Sequence, residues 1–108
     1  MLFGFMAVLL TMLLIVEATS FWHARNVYDE AASEGARVAA AYDGSCARGI
    51  AAAQALVRRT AGSWARGVSV TCTDGPLVTV TVTGSTPGVL SGSVGFRARV
   101  TETAPKEA

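Results

Sequence analysis

The segment "LLIVEATSFWHARNVYDEAASEGARVAA", residues 13–40, changes from apolar to polar without a break in its helical pattern. It contains no proline, no glycine pair and no turn dipeptide, and Asp43-Gly44 is the turn signal that follows it. Extended back to Met1, the pattern predicts one helix of about forty residues, near 60 Å long. A chain of 108 residues cannot cover so long a helix with its own mass. We therefore expect much of the helix to find partners outside the chain.

The first part of this helix, residues 1–22, has the length and composition of a membrane span. Residues 1–16 are apolar apart from Gly4 and Thr11, and the apolar run resumes after Glu17 as far as Trp22. Twenty-two helical residues cover about 33 Å, enough for a hydrocarbon core of about 30 Å. A cleaved secretory signal would need a basic start and a small-residue cleavage site, and neither pattern is present. We predict a retained helix that acts as a membrane anchor or a filament core.

Two features disagree about the orientation of this helix. His23 and Arg25 follow the span and no positive charge precedes it, so the positive-inside rule alone places the C-terminus in the cytoplasm. Cys46 and Cys72 are the only cysteines, and a small domain with two lone cysteines is typical of a disulfide made in an oxidising compartment. The two features agree if a basic leader was removed ahead of Met1.

The remaining residues predict a small head of α+β class. The long helix continues over 23–43, and the head, 44–108, starts with a second helix that Ser45 caps. Alternating valine and threonine then predict a three-stranded antiparallel sheet with one apolar face for the helices to cover. The predicted elements are a helix at 45–61 and strands at 68–73, 77–83 and 94–101, followed by a short polar tail.

The phase of the apolar positions predicts that the two cysteines meet. Cys46 lies on the apolar stripe of the second helix, in phase with Ala53 and Val57. Cys72 lies on the apolar face of the first strand, in phase with Val70. Both side chains therefore point into the layer between helix and sheet, and we predict a disulfide between them.

Small residues repeat every four positions along the polar half of the long helix. Ala31, Gly35 and Ala39 form one stripe, and the alanines that follow each of them form a second. Such stripes let another helix approach closely, either from a neighbouring subunit or from the same chain. The predicted subunit-packing residues are Phe3, Phe5, Leu9, Leu13, Val16, Glu17, Arg25, Ala31, Gly35 and Ala39.

Glu17 is the one charge within the predicted span. A carboxylate at the centre of a membrane helix costs about 2.5–3.5 kcal/mol on insertion scales. Glu17 lies toward the polar end of the span, so its carboxylate either snorkels to the interface or pairs with Arg25 or His23 of a neighbouring chain.

Residues for catalysis, metal binding or cofactor binding do not form a pattern in this sequence. His23 is the only histidine, and the serines lie outside any nucleophile motif. Asp29, Glu30 and Glu34 share a helical face that is typical of solvated helices rather than of a metal site. Nine basic residues against eight acidic ones predict no strong field for nucleic acid or anionic lipid. We expect a protein that is not an enzyme and needs no cofactor.

The sequence resembles a known family at two short blocks, His23-Ala24-Arg25-Asn26 and Glu34-Gly35-Ala36-Arg37. With the apolar helix before them and the Val/Thr-rich segment after them, these blocks resemble TadE-like pilus proteins of the tight-adherence system, in their actinobacterial form. The resemblance implies a type IV pilin-like subunit: a leader cut by a prepilin peptidase, a helix that is first an anchor and then a filament core, and a head outside the cell. Pilin-like subunits typically carry glutamate at the fifth mature position, where this chain has Phe5. Either Met1 is not the mature N-terminus or this branch lacks that carboxylate.

The resemblance implies a pilin or minor pseudopilin at the cell surface, in an extracellular filament, with a membrane-inserted form before assembly. The implied partners are copies of the chain or other pilins, the inner membrane, the pilus assembly machinery and the prepilin peptidase, with no specific nucleic acid. Two alternatives remain open. One is a bitopic protein whose extracytoplasmic head binds a ligand or partner. The other is a DNA-uptake or adhesion tip subunit that uses its arginines.

Overall fold

A computed structural model of the chain describes residues 1–61, 65–86 and 97–107. Two helices precede three strands, in the order α1 Leu2–Ala40, α2 Cys46–Ala61, β1 Ser69–Thr73, β2 Leu77–Ser85 and β3 Arg97–Pro105. The predicted α+β class is confirmed. The molecule measures 66 × 22 × 19 Å because the first half of α1 projects beyond the head.

The helix ends follow the local sequence signals. α1 is unbroken for 39 residues and stops where Ala41 turns to an extended conformation, just before the predicted turn at Asp43-Gly44. Ser45 caps α2, because its Oγ accepts a hydrogen bond from the Arg48 amide at 3.3 Å. The short connection turns α2 back along α1, so the two helices pack antiparallel.

The sheet has the order β1-β2-β3, with both pairs antiparallel. Val78, Val80 and Val82 of the central strand are fully buried, and the threonines between them lie on the outer face. α1 covers β2 and β3 on the inner face, while α2 contacts mainly β1. The period-two alternation in the sequence therefore corresponds to one face against the helices and one face in water.

The third strand differs from its predicted bounds. Residues 94–96 of the predicted strand 94–101 lie outside the described residues, and β3 continues past 101 to Pro105, through what we expected to be a polar tail. Its last residue pairs with Leu77, the first residue of β2. The apolar alternation ends at Val100 because the next inward positions, Glu102 and Ala104, face the polar and alanine-rich part of α1.

The core between the layers is built mostly from alanine and valine. Tyr28 is the one large aromatic residue among the fully buried side chains of the described chain. Small side chains bring the backbones of α1, α2 and the sheet close together, so the fit depends on the absence of side-chain bulk at a few positions.

Candidate assembly site

The first half of α1 is an apolar rod that the rest of the chain leaves uncovered. Phe3 is 91% exposed, and Phe5, Leu9 and Val16 are also exposed, whereas Leu13 is half-buried. By length and composition the helix can cross a membrane, with a mean hydropathy of 2.2 over its most apolar window. An apolar surface of this size, exposed in one chain, requires lipid or protein around it.

The carboxylate of Glu17 is at the point where the rod meets the head. Glu17 is only 8% exposed, and it makes an interaction within the chain. In the isolated chain, the side chain of Glu17 is therefore largely covered by its own chain. Snorkelling to the interface and pairing with a neighbouring chain concern the membrane and the assembly, and both stay predictions. Trp22, five residues further along α1, is 67% exposed.

The helices α1 and α2 cross at a pair of glycines, Gly35 and Gly49. A Cβ added at Gly35 would lie 2.9 Å from the Gly49 carbonyl oxygen and 3.2 Å from the Ala53 Cβ. A Cβ added at Gly49 would lie 2.6 Å from the Gly35 carbonyl oxygen and 2.7 Å from the Ala39 Cβ. Each glycine therefore makes room for the backbone of the other helix.

This crossing corrects the assignment of the small-residue stripe. Ala31, Gly35 and Ala39 are buried within one chain, against α2 and the sheet, so they belong to the fold of the subunit rather than to its free surface. The alternative of a contact within the same chain is the one observed. Sequence reasoning missed Gly49, although a glycine inside a helix costs about 1 kcal/mol relative to alanine and so signals a close approach.

A second close approach fixes α1 on the sheet. The Tyr28 hydroxyl donates a hydrogen bond to the Ser85 carbonyl oxygen at 2.5 Å. The tyrosine ring lies directly on Gly84, where any Cβ would collide with the hydroxyl end of the ring. Burial raises the pKa of Tyr28, although nearby Arg97 opposes the shift. Tyr28 therefore stays neutral and remains a hydrogen-bond donor at physiological pH.

Lys106 caps the C-terminal end of α1. Its Nζ donates hydrogen bonds to the carbonyl oxygens of Ala39, Ala41 and Gly44, at 3.0, 3.1 and 3.1 Å. The next residue continues this attachment, because the Glu107 amide donates to the Ala40 carbonyl oxygen. A cation at a helix C-terminus satisfies carbonyl groups that have no helical partner and interacts favourably with the helix dipole. The local sequence gave no signal for this role.

The predicted disulfide is confirmed. Cys46 at the start of α2 is bonded to Cys72 of β1, with a Cα–Cα distance of 5.6 Å and a sequence separation of 26. The bond joins the helix layer to the edge of the sheet, at the strand that α1 does not cover.

The polar half of α1 carries two charge interactions outside the predicted span. Arg37 holds Glu34 in an ion pair at 2.6 Å, and its hydrogen bond lowers the pKa of the Glu34 carboxyl. Asp29 lies beside Glu102 of β3, and hydrogen bonding to this neighbouring acid raises the pKa of Glu102. Arg25 and Asp29 are four residues apart on α1 but form no ion pair within 4 Å, since Asp29 lies against Glu102 of the sheet instead.

Within residues 1–61, 65–86 and 97–107, no cluster of three His, Cys, Asp or Glu side chains could hold a metal ion.

The long helix α1 matches a known protein family. The family model described as TadE-like protein matches residues 2–37, a segment that lies entirely within α1. The resemblance seen at the two short blocks is thereby confirmed, since both fall within the match. Ala24, Gly35 and Ala36 from those blocks are buried against the head. No curated protein matches the chain, and no solved structure matches it.

Proposed function

Because the chain is TadE-like over residues 2–37, we propose that it is a structural subunit, either a pilin or a minor pseudopilin, of an extracellular Tad-type filament. In this proposal the subunit is not an enzyme. It resides first in the inner membrane, is processed by a prepilin peptidase, and is then transferred by the pilus assembly machinery into a filament of identical or related subunits.

The observation that carries the proposal is the rod. Residues 2–16 form a continuous apolar helix that the head leaves exposed, and the same helix runs without a hinge into the core of the head. A lipid anchor requires only the apolar part. The unbroken connection also transmits the position of the rod to the head, as a subunit in a regular filament requires.

The glycine crossing and the disulfide support the same proposal. They stiffen a head whose core is mostly alanine and valine. Domains of this size are marginally stable from burial alone. A disulfide across the two layers suits a head that works outside the cell, where no chaperone or reducing system maintains it.

Imaging and photocrosslinking together test the proposal. Cells making the full chain are sheared, the released material is imaged by cryo-EM, and a photocrosslinking residue replaces Leu9 on the rod. We expect filaments that contain the chain, and crosslinks from position 9 to the first 22 residues of another copy. The matched control is the same replacement at Thr71, which is exposed on the outer face of β1 and should give far fewer such crosslinks.

The bitopic alternative predicts a different result. If the chain is only an anchored binding protein, the shear fraction lacks it and position 9 crosslinks to lipid in every condition. That outcome would overturn the filament proposal, whereas position 9 crosslinks to other pilins would identify a minor subunit.

A further inference from the structure

The arginines of this chain are concentrated at the end of the head from which the apolar rod emerges. α1 enters the head at Trp22, and the groove beside it is lined by Arg25 of α1 and Arg99 of β3. Arg97 is at the same end, because its register partner Ser85 accepts the Tyr28 hydrogen bond. We call this end of the head the base.

Three further arginines, from other parts of the sequence, lie near the base in the folded chain. Arg66 is joined to Ser85 by two hydrogen bonds, one through each backbone group of Arg66. α2 runs back toward the base, with Leu56 beside Asp29 of α1, and Arg58 and Arg59 follow Leu56. The base arginines are Arg25, Arg58, Arg59, Arg66, Arg97 and Arg99, all of them exposed.

Among the described residues, no base arginine forms an ion pair within 4 Å. Arg37 with Glu34 and Arg48 with Asp43 are ion pairs, and both lie outside this set. Residues 62–64 and 87–96 contain no charged side chain, so the count of formal charges is complete without them. The acids that lie near the base arginines are Glu17, Asp29, Glu30, Glu34 and Glu102. Glu34 is already paired with Arg37, so the arginines still outnumber the acids at this end.

The opposite end of the head has the reverse character. Asp43 follows α1, Asp74 lies in the turn between β1 and β2, and the Glu107 amide is bonded to the Ala40 carbonyl. Of the two cations there, Lys106 is committed to the helix carbonyls and Arg48 is paired with Asp43 at 4.0 Å. The net charge of +1 therefore conceals a basic base and an acidic far end.

We propose that the base is a docking surface for anionic phospholipid headgroups while the rod is in the membrane. This proposal rests on the membrane-inserted form in the proposed function. When residues 1–22 span the bilayer, Trp22 lies at the interface, where tryptophan is enriched. The base arginines then face the headgroup layer, where each basic side chain is attracted to an anionic surface within about one Debye length. When the subunit leaves the membrane and enters a filament, these contacts with the headgroups must break.

The test uses hydrogen exchange of the full chain in nanodiscs. The discs contain phosphatidylcholine alone or phosphatidylcholine mixed with phosphatidylglycerol, and exchange is followed at the end of α2 and the start of β3. We expect slower exchange at both places in the anionic discs only, and loss of the difference at high salt. The double variant Arg58→Glu/Arg99→Glu should lose the difference. The control Arg37→Glu/Arg48→Glu, with the same change in charge away from the base, should keep it.

Two results would overturn the proposal. One is equal exchange of the wild-type chain in both kinds of disc. The other is protection that is independent of lipid charge and increases with the number of chains per disc, which would mean that the base contacts the acidic far end of another copy. The assay requires no filaments, so it distinguishes failure of this inference from failure of the proposed function.

Discussion

Replacing the crossing glycines with alanine should destabilise the head, although alanine is the better helix former. In an exposed helix, Gly→Ala stabilises by about 1 kcal/mol. At Gly35 the new methyl group would lie 2.9 Å from the Gly49 carbonyl oxygen, and at Gly49 it would lie 2.6 Å from the Gly35 carbonyl oxygen. Both neighbours are backbone atoms, so relief requires the two helices to separate along their whole contact.

The magnitude follows from two opposing effects. Overpacking of a well-fitted interior costs about 1–3 kcal/mol, and the gain in helix propensity offsets about 1 kcal/mol of that. We expect a net loss of about 1–2 kcal/mol for Gly49→Ala and a smaller loss for Gly35→Ala, whose methyl group has slightly more room. For a domain of this size, 1 kcal/mol corresponds to about 4–8 °C in Tm.

The assay is thermal unfolding of the full chain in detergent, followed by circular dichroism with the disulfide intact. Gly4→Ala is the matched control, because it lies in the same helix and a Cβ there meets nothing within 4 Å. Its Tm should stay the same or increase. Gly35→Leu adds more bulk at the crossing, so we expect the subunit itself to fail to fold, and not only the filament to be absent. A Gly35→Ala or Gly49→Ala chain that gains stability as the control does would refute a packed crossing.

Three further predictions concern the attachment points of the head. Lys106→Met should lower the free energy of unfolding by about 1–3 kcal/mol, because it leaves three carbonyl oxygens without their charged donor. Faster hydrogen exchange over residues 40–44 would show it, and unchanged exchange there would contradict the proposed cap. Cys46→Ser/Cys72→Ser should cost about 3–4 kcal/mol by the loop-entropy estimate, and alkylation of the denatured, unreduced wild type should find no free thiol. The raised pKa of Glu102 means that its protonated form stabilises the fold fully below the ordinary carboxyl pKa, and that this contribution is lost as the pH rises through the folded value. Glu102→Gln should therefore unfold with less dependence on pH over that window, and an unaltered pH profile would exclude the carboxyl pair as its origin.

The sequence predicted the secondary structure well where a periodic pattern was long and uninterrupted. The absence of a break up to Asp43-Gly44 determined α1, and the alternation of valine with threonine determined β2. β3 was predicted too short at its C-terminal end, since alternation of apolar residues detects only the part of a strand whose inner neighbours are apolar. The disulfide could be predicted because the phase of each cysteine is a local property of its own element.

The candidate site was predicted only in part. The rod is visible in the sequence because lipid and protein neighbours both select apolar residues at every position. The stripe of Ala31, Gly35 and Ala39 showed that something approaches α1 closely, but small side chains do not specify what. The elements that approach α1 are α2 and β2 of the same chain, and only the three-dimensional position of Gly49 identifies them.

The sequence by itself determined the long helix, the change from apolar to polar along it, and the faces of the elements that follow, since these depend on residues near one another in the chain. The tertiary structure alone decided which backbones meet at the glycines, which carbonyl oxygens Lys106 caps, and where the charges lie. A nearly balanced composition predicted no strong field, yet antiparallel packing of α2 on α1 and the register of β3 bring six arginines to one end. Residues far apart in sequence share an electrostatic surface only after the chain has folded, so a net charge cannot show their segregation.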